Sequence, residues 1–274
     1  MNQSLSSPMH PFTEFSAAEV EQFMVAGWLL VRGLIAPDIC AELVPRITVA
    51  CQDDGDPWGG FLLTDSPRGG AVERIFTARY ARIIHDLCGV GAHIGMDSLG
   101  YMPIRFPRPH AGPWRAMELH IDGNHFHHHV DSREQVLIAV ELWTDIEPGG
   151  GGTAILPGSH MRVSRILAMH DPIGLDCVQL AQKAKEACAD ITPIEARGCA
   201  GDVLFMHPHL LHGSSTNSSQ HMRIAGNRCV ELNRPLPCNK PDATGWTPVG
   251  LAIHRAIAGL DSTTYSNTSG PGHV

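Results

Sequence analysis

The chain has 274 residues, 43% of them hydrophobic and 18% charged, with a formal net charge of −8 when histidine is neutral. That is enough apolar material for a sizeable core, and an acidic balance without long runs argues against a nucleic-acid or anionic-membrane footprint. No apolar stretch is long enough to span a bilayer, because the longest are broken by Arg, Pro or Gly.

Residues 1–13 are rich in Ser and Pro and lack the basic-then-apolar layout of a leader, and residues 270–274 carry no retention or peroxisomal tripeptide. Eight cysteines are scattered with no CxxC pair. This excludes a zinc ribbon, a redox motif and a disulfide framework, and leaves reduced thiols in a cytoplasmic protein.

In chain order, Ser16 and Glu19 have the spacing of a capping box, opening a helix that stops near Gly27. Val20, Phe23 and Met24 make its inward stripe. Trp28–Val31 reads as a short buried strand. Pro37 opens a second helix, which Pro45 should kink or end. Residues 53–60 and 65–70 read as Gly/Pro loops, and 71–88 as a third helix with Ile75, Tyr80, Ile83 and Ile84 inward.

From residue 92 the texture changes to short apolar runs between turn residues: 94–104, 115–122, 136–143, 153–156, 191–194, 202–207 and 223–232. Such spacing predicts a sandwich or jelly roll. Residues 161–189 interrupt it with two helices split at Asp171-Pro172. A short helix near 249–258 and a Ser/Thr/Gly tail follow. No internal repeat and no composition shift divides the chain, so residues 1–274 are expected to form one domain with an N-terminal helical cover. The glycines at 149–152 predict a tight turn rather than a phosphate loop, because no Lys-Ser/Thr follows.

Three stretches carry chemistry. His120-Ile121-Asp122 sits in a candidate strand, where residues two apart share a face and can close on one metal ion. The pattern is cheap in a chain with 17 histidines, and it recurs at His129 and Asp131. Residues 201–214 offer His207, His209 and His212 after a strand. Residues 223–228 carry Arg223 and Arg228, which face opposite ways on a regular strand. Two His and one carboxylate leave metal positions open, which points to non-haem Fe(II) rather than closed structural zinc. A dicarboxylate co-substrate would need a fixed guanidinium at its far end.

On these residues the chain resembles the phytanoyl-CoA dioxygenase family of Fe(II)/2-oxoglutarate oxygenases. The likeness runs over about 15–233 and leaves 240–274 unassigned. It includes the opening helix-strand-helix, the HxD strand, Leu142-Trp143 leading to Pro157-Gly158-Ser159-His160, and residues 201–223. In that family the distal His precedes a small residue, as His212 precedes Gly213, and the 2-oxoglutarate Arg follows about eleven residues on, as Arg223 does.

The resemblance implies a double-stranded β-helix (a jelly-roll, cupin-like barrel), with His120, Asp122 and His212 holding Fe(II). It also implies that Arg223 and Ser214 hold 2-oxoglutarate and that Trp143 lines the co-substrate pocket. O₂ and 2-oxoglutarate would then be consumed, with release of succinate and CO₂, to oxidise a C–H bond of a small organic molecule. Hydroxylation is the usual outcome, desaturation, cyclisation and epimerisation are the others, and family analogy favours secondary metabolism. His207 and His209 are expected behind the ligands or on the surface. His125, His127, His128 and His129 are expected in a mobile loop at the mouth. Two rival classes remain: a cupin-type metalloenzyme that does not use 2-oxoglutarate, and a non-catalytic binding barrel. Neither nucleic acid nor membrane is expected as a partner, and the chain carries no sign of its oligomeric state.

Overall fold

The computed structural model describes residues 12–238 and 246–259. The readings of the first eleven residues and of the Ser/Thr/Gly tail from 260 onward lie outside the described residues. Among these residues no helix is long and apolar enough to cross a membrane.

Helix α1 (Ala17–Ala26) carries the expected capping box, with Ser16 and Glu19 satisfying each other's backbone N–H, and it ends on Gly27 at φ 84°. A side chain is excluded there for a second reason, since a Cβ on Gly27 would lie 2.6 Å from His160 Nδ1. Strand β1 (Trp28–Val31) follows, and then α2 (Pro37–Ala50).

Pro45 does not end α2. It lies on the exposed side, while Leu43 and Ile47 beside it are fully buried. The carbonyl that loses its partner to proline therefore faces water, and the buried face carries the helix onward. The expected helix over 71–88 is instead two pieces, a 3-10 turn (Gly70–Ile75) and α3 (Ala78–Cys88). Thr77 divides them by capping α3 with its side chain, accepting from the Tyr80 N–H. The inward residues are as expected: Ile75, Tyr80, Ile83 and Ile84 are all buried.

The strands are β2 (Gly60–Leu63), β3 (His93–Ile94), β4 (Met102–Arg105), β5 (Ala116–His120), β6 (Leu137–Leu142) and β7 (Ala154–Ile155). After α4 (Ser159–Met169) and α5 (Cys177–Ala187) come β8 (Ile194–Glu195), β9 (Val203–Met206), β10 (His212–Ser215), β11 (Arg223–Glu231) and α6 (Pro248–Ile257). The run 94–104 is not one strand but the ends of β3 and β4.

A seven-stranded antiparallel sheet in the order β1-β9-β6-β11-β4-β2, with β3 against β11, faces a four-stranded one in the order β5-β10-β7-β8. This is the expected jelly roll with helices. The core divides accordingly. Leu137, Ala139 and Trp143 pack toward the helices α1, α2, α3 and α6. Ile138, Val140 and Leu142 meet Ile155, Leu204 and Ala225 between the sheets. Ile121, Leu156 and Leu211 pack under α4 and α5. The strand period of two sends alternate residues to these layers, which leaves His120, Asp122 and His212 facing the space between the sheets.

Candidate metal centre

The site is built on the small sheet. Strands β5 and β10 run antiparallel with His120 directly opposite His212, and the register then slips between His212 and Ser214. Gly213 sits at the slip because nothing larger fits: a Cβ there would stand 2.3 Å from the Met117 carbonyl oxygen. The regular alternation expected of the strand that carries His120 and Asp122 is broken at Glu118, whose φ is 51°. A non-glycine residue in that region is uncommon and costs of the order of 1 kcal/mol or more. Asp122 lies just past the end of β5.

Gly213→Ala is accordingly expected to push β5 from β10 and to weaken divalent-metal binding by about tenfold or more, measured by titration with Ni(II).

The three side chains converge. One donor atom from each of His120, Asp122 and His212 lies within 4.8 Å of the other two. His120 Nδ1 is 2.6 Å from the Glu118 carbonyl, and His212 Nδ1 is 2.9 Å from the Leu210 carbonyl. A carbonyl only accepts, so each Nδ1 carries the hydrogen and each Nε2 presents its lone pair. Those two lone pairs face the Asp122 carboxylate, at 3.0 Å from His120 Nε2 and 3.4 Å from His212 Nε2. His212 Nε2 is buried and has no hydrogen bond of good geometry, only the ion-pair contact with Asp122.

Three electron-pair donors aimed at one point repel one another unless a cation, a proton or a metal lies between them. The electrostatics agree. Burial raises the Asp122 carboxyl, but His212 and His120 more than offset it and hold it well below the usual carboxylate range. Burial lowers His120, and Asp122 overrides that and raises it. Backbone carbonyls fixing Nδ1–H behind a free Nε2 are the usual support of a metal-ligating imidazole. The residues present therefore fit a divalent metal.

Arg223 lies across the gap on β11, 4% exposed. Its guanidinium donates to two neutral acceptors, the Pro103 carbonyl at 2.7 Å and Thr153 Oγ1 at 2.8 Å, while its Nε is buried without a partner. Burial and the neighbouring Arg105 push its pKa down to about 9. Arg228, its rival in the sequence, turns the other way, and its Nε is 2.8 Å from Glu141 Oε1 in the core. One arginine is already neutralised, and the other hydrogen-bonds neutral acceptors and feels Glu195 only from a distance.

Ser214 donates its hydroxyl to Glu118 Oε2 at 2.6 Å. Trp143 is not brought to this place. It is 1% exposed and belongs to the helix-facing core layer, opposite the face that Arg223 shares with Ala225.

His207 and His209 are not surface residues. Both are buried, His209 Nδ1 lies 2.9 Å from Ser164 Oγ, and His207 Nε2 is 3.4 Å from the Val249 carbonyl. His128 is not part of a free loop at the mouth. It is 3% exposed, and its backbone N–H and carbonyl both pair with Leu175. His125 and His127 are exposed. The turn 149–152 already holds an internal carboxylate, since Glu195 accepts the N–H groups of Gly149, Gly151 and Gly152. Arg105 and Glu118, which the sequence reading did not single out, form an ion pair at 3.0 Å beside Ser214. Arg105 gave no signal in sequence, because its importance comes from β4 pairing with β11.

The family model described as phytanoyl-CoA dioxygenase (PhyH) matches residues 71–225, more than half of the 274-residue chain. A search of curated protein sequences gives no match. Among solved structures the chain is similar to the epimerase SnoN in complex with Fe³⁺, alpha-ketoglutarate and nogalamycin RO. The identity is 17% and the TM-score 0.56, covering 84% of this chain and 91% of that one. It is also similar to EctD from S. alaskensis with 2-oxoglutarate and 5-hydroxyectoine, at 18% identity and a TM-score of 0.56, covering 84% and 81%. HygX from Streptomyces hygroscopicus, with nickel, 2-oxoglutarate and hygromycin B bound, gives 16% and 0.52, covering 85% and 96%. At these identities the likeness shows the fold.

Proposed function

Because the chain belongs to the phytanoyl-CoA dioxygenase family of Fe(II)/2-oxoglutarate-dependent oxygenases, we propose that His120, Asp122 and His212 hold its iron. Arg223, with Ser214, takes the far carboxylate of 2-oxoglutarate, and the reaction hydroxylates a C–H bond of a small organic molecule. The observation that carries this is the pair of Nε2 lone pairs turned on the Asp122 carboxylate.

Iron held by His120, Asp122 and His212 would supply the coupling of 2-oxoglutarate decarboxylation, to succinate and CO₂, with oxidation of the substrate by O₂. The chain's own part is geometric and electrostatic. The carbonyls of Glu118 and Leu210 hold both imidazoles in one tautomer, so neither ligand reorganises when the metal arrives. Asp122 brings the negative charge that a divalent ion requires. Arg223, lodged between the sheets with its hydrogen bonds going to neutral acceptors, is complementary to a carboxylate that reaches it from the metal side.

A substrate from secondary metabolism agrees with the nogalamycin-pathway and hygromycin-bound relatives, whose own ligands belong to those proteins. SnoN is described as an epimerase, so the product decides between outcomes. Hydroxylation adds one oxygen atom to the substrate, and epimerisation leaves its mass unchanged.

The test is succinate release by purified protein with Fe(II), ascorbate and 2-oxoglutarate, first without substrate and then across a substrate panel. Slow succinate formation without substrate is expected. Arg223→Ala should raise the concentration of 2-oxoglutarate required by about two orders of magnitude, the usual scale for losing one partner of a buried charge-assisted contact. Turnover that ignores 2-oxoglutarate would replace this reading with a cupin-type metalloenzyme. Metal binding with no succinate from any condition would leave a binding barrel.

A further inference from the structure

Strand β4 pairs with β11 so that Arg105 stands directly opposite Arg223. Residues paired in this way project to the same face, and two like charges there repel. Both are buried, Arg105 at 8% and Arg223 at 4% exposed. Room for Arg105 is made by Gly60, where a Cβ would lie 2.6 Å from Arg105 Nη1.

Two guanidinium groups thus share one buried space. Glu195 attracts Arg223 without a hydrogen bond to it, and the carboxylate that hydrogen-bonds Arg105 is Glu118. Its Oε2 accepts from Arg105 Nη2 at 3.0 Å and from Ser214 Oγ at 2.6 Å. It reaches them from a left-handed backbone position, φ 51°, and its side chain is 73% exposed. A mostly solvated glutamate on a strained residue, two positions before the first imidazole, therefore occupies the serine assigned above to the co-substrate.

We propose that Arg105 is a second cation of the 2-oxoglutarate site and that Glu118 is its internal stand-in, which gives up Arg105 and Ser214 when the co-substrate's far carboxylate arrives. The exchange swaps one carboxylate for another on the same donors, so Arg105 is not left unpaired at any stage. Arg223, with its unpartnered Nε, supplies the extra attraction that favours the incoming dianion over the resident side chain. The inference rests on the proposed function, and its test separates the two.

The experiment is calorimetric titration of 2-oxoglutarate into the Ni(II)-loaded protein, in which no turnover intervenes. Glu118→Gln is expected to tighten binding by about tenfold, the scale of one charge-assisted hydrogen bond no longer in competition. Glu118→Gly removes the carboxylate while suiting the positive φ, and it should do the same if the Gln variant folds poorly. Arg105→Met should weaken binding by about tenfold, with Arg105→Lys between it and the wild type.

The deciding measurement is the Arg105→Met, Glu118→Gln double variant. If the two side chains are coupled as proposed, the gain from removing the carboxylate falls below about twofold once Arg105 is absent. An equal gain with and without Arg105 would make Glu118 merely a nearby negative charge and overturn the inference, as would no gain at all. In both cases a loss of binding in Arg223→Ala would leave the proposed function standing. Failure of the wild-type Ni(II) protein to bind 2-oxoglutarate would remove both.

Discussion

His212→Ala is expected to reduce succinate formation to background and to abolish stoichiometric metal binding, while His209→Ala, three residues away, retains both. His212 is 2% exposed and lies at the β5–β10 junction opposite His120. With its imidazole gone, two donors remain, and among the described residues no other His, Cys, Asp or Glu joins the cluster. His209 faces away, toward Ser164 on α4, at 2.9 Å. Removing it leaves a small cavity and an altered hydrogen bond, a cost of about 1–3 kcal/mol to folding and little to chemistry. Metal titration followed by thermal unfolding of both variants separates the two roles. A dead His209→Ala enzyme beside an active His212→Ala enzyme would reassign the third ligand.

The residues alone show these three histidines as a string of six residues, and the family resemblance picks His212 as the ligand. Parity and packing in the fold agree with that choice. Leu211 points outward under α4 and α5, so His212 points inward, whereas His207 and His209 precede β10 in a turn packed against α1, α4 and α6.

Local signals read well where the cause is local. The capping box at Ser16, the stop at Gly27 and the inward stripe of α3 all depend on residues within a few positions of one another. Signals read poorly where the cause lies elsewhere in the chain. Pro45 is tolerated because of which face of α2 is solvated. Trp143 was assigned to the co-substrate pocket by resemblance, yet strand parity sends it to the helix-facing layer. Strand β10 went unrecognised because His-Gly-Ser-Ser has no strand character of its own and is held by β5 and β7. Arg105 and Glu118 became visible only through the register of β4 and the left-handed turn in β5.

The histidines behind the site carry the second large effect, which is on stability rather than chemistry. His160 and His207 are fully buried and His209 is nearly so. Burial drives His160 to about 4, against a hydrogen bond to the Met24 carbonyl. It drives His209 to about 3, with His128 and His160 adding repulsion, and it holds His207 well below its ordinary value. No carboxylate faces any of the three to offset this. The rings lie close together, His160 to His207 at 4.8 Å and tilted, His207 to His209 at 5.1 Å and edge-on, so a proton on one disfavours a proton on the next.

Above the unfolded value of about 6.5 both folded and unfolded chains hold these groups neutral, and they give no pH dependence. As the pH falls below 6.5 the unfolded chain takes up protons that the folded one refuses. The stabilisation is therefore full above 6.5 and is lost progressively toward the folded values near 4 and 3. Each group contributes about 1.4 kcal/mol per pH unit in that window, and the three together about 4. Against a typical total of roughly 5–15 kcal/mol, the protein is expected to unfold between about pH 4 and pH 5, before most carboxylates titrate. Urea unfolding at intervals from pH 7.5 to pH 4.5 measures the slope. His160→Gln, which keeps an N–H able to reach the Met24 carbonyl, should flatten it by about one proton. A flat stability profile down to pH 5 would mean that these imidazoles take up protons in the folded state, and that the buried cluster opens to water.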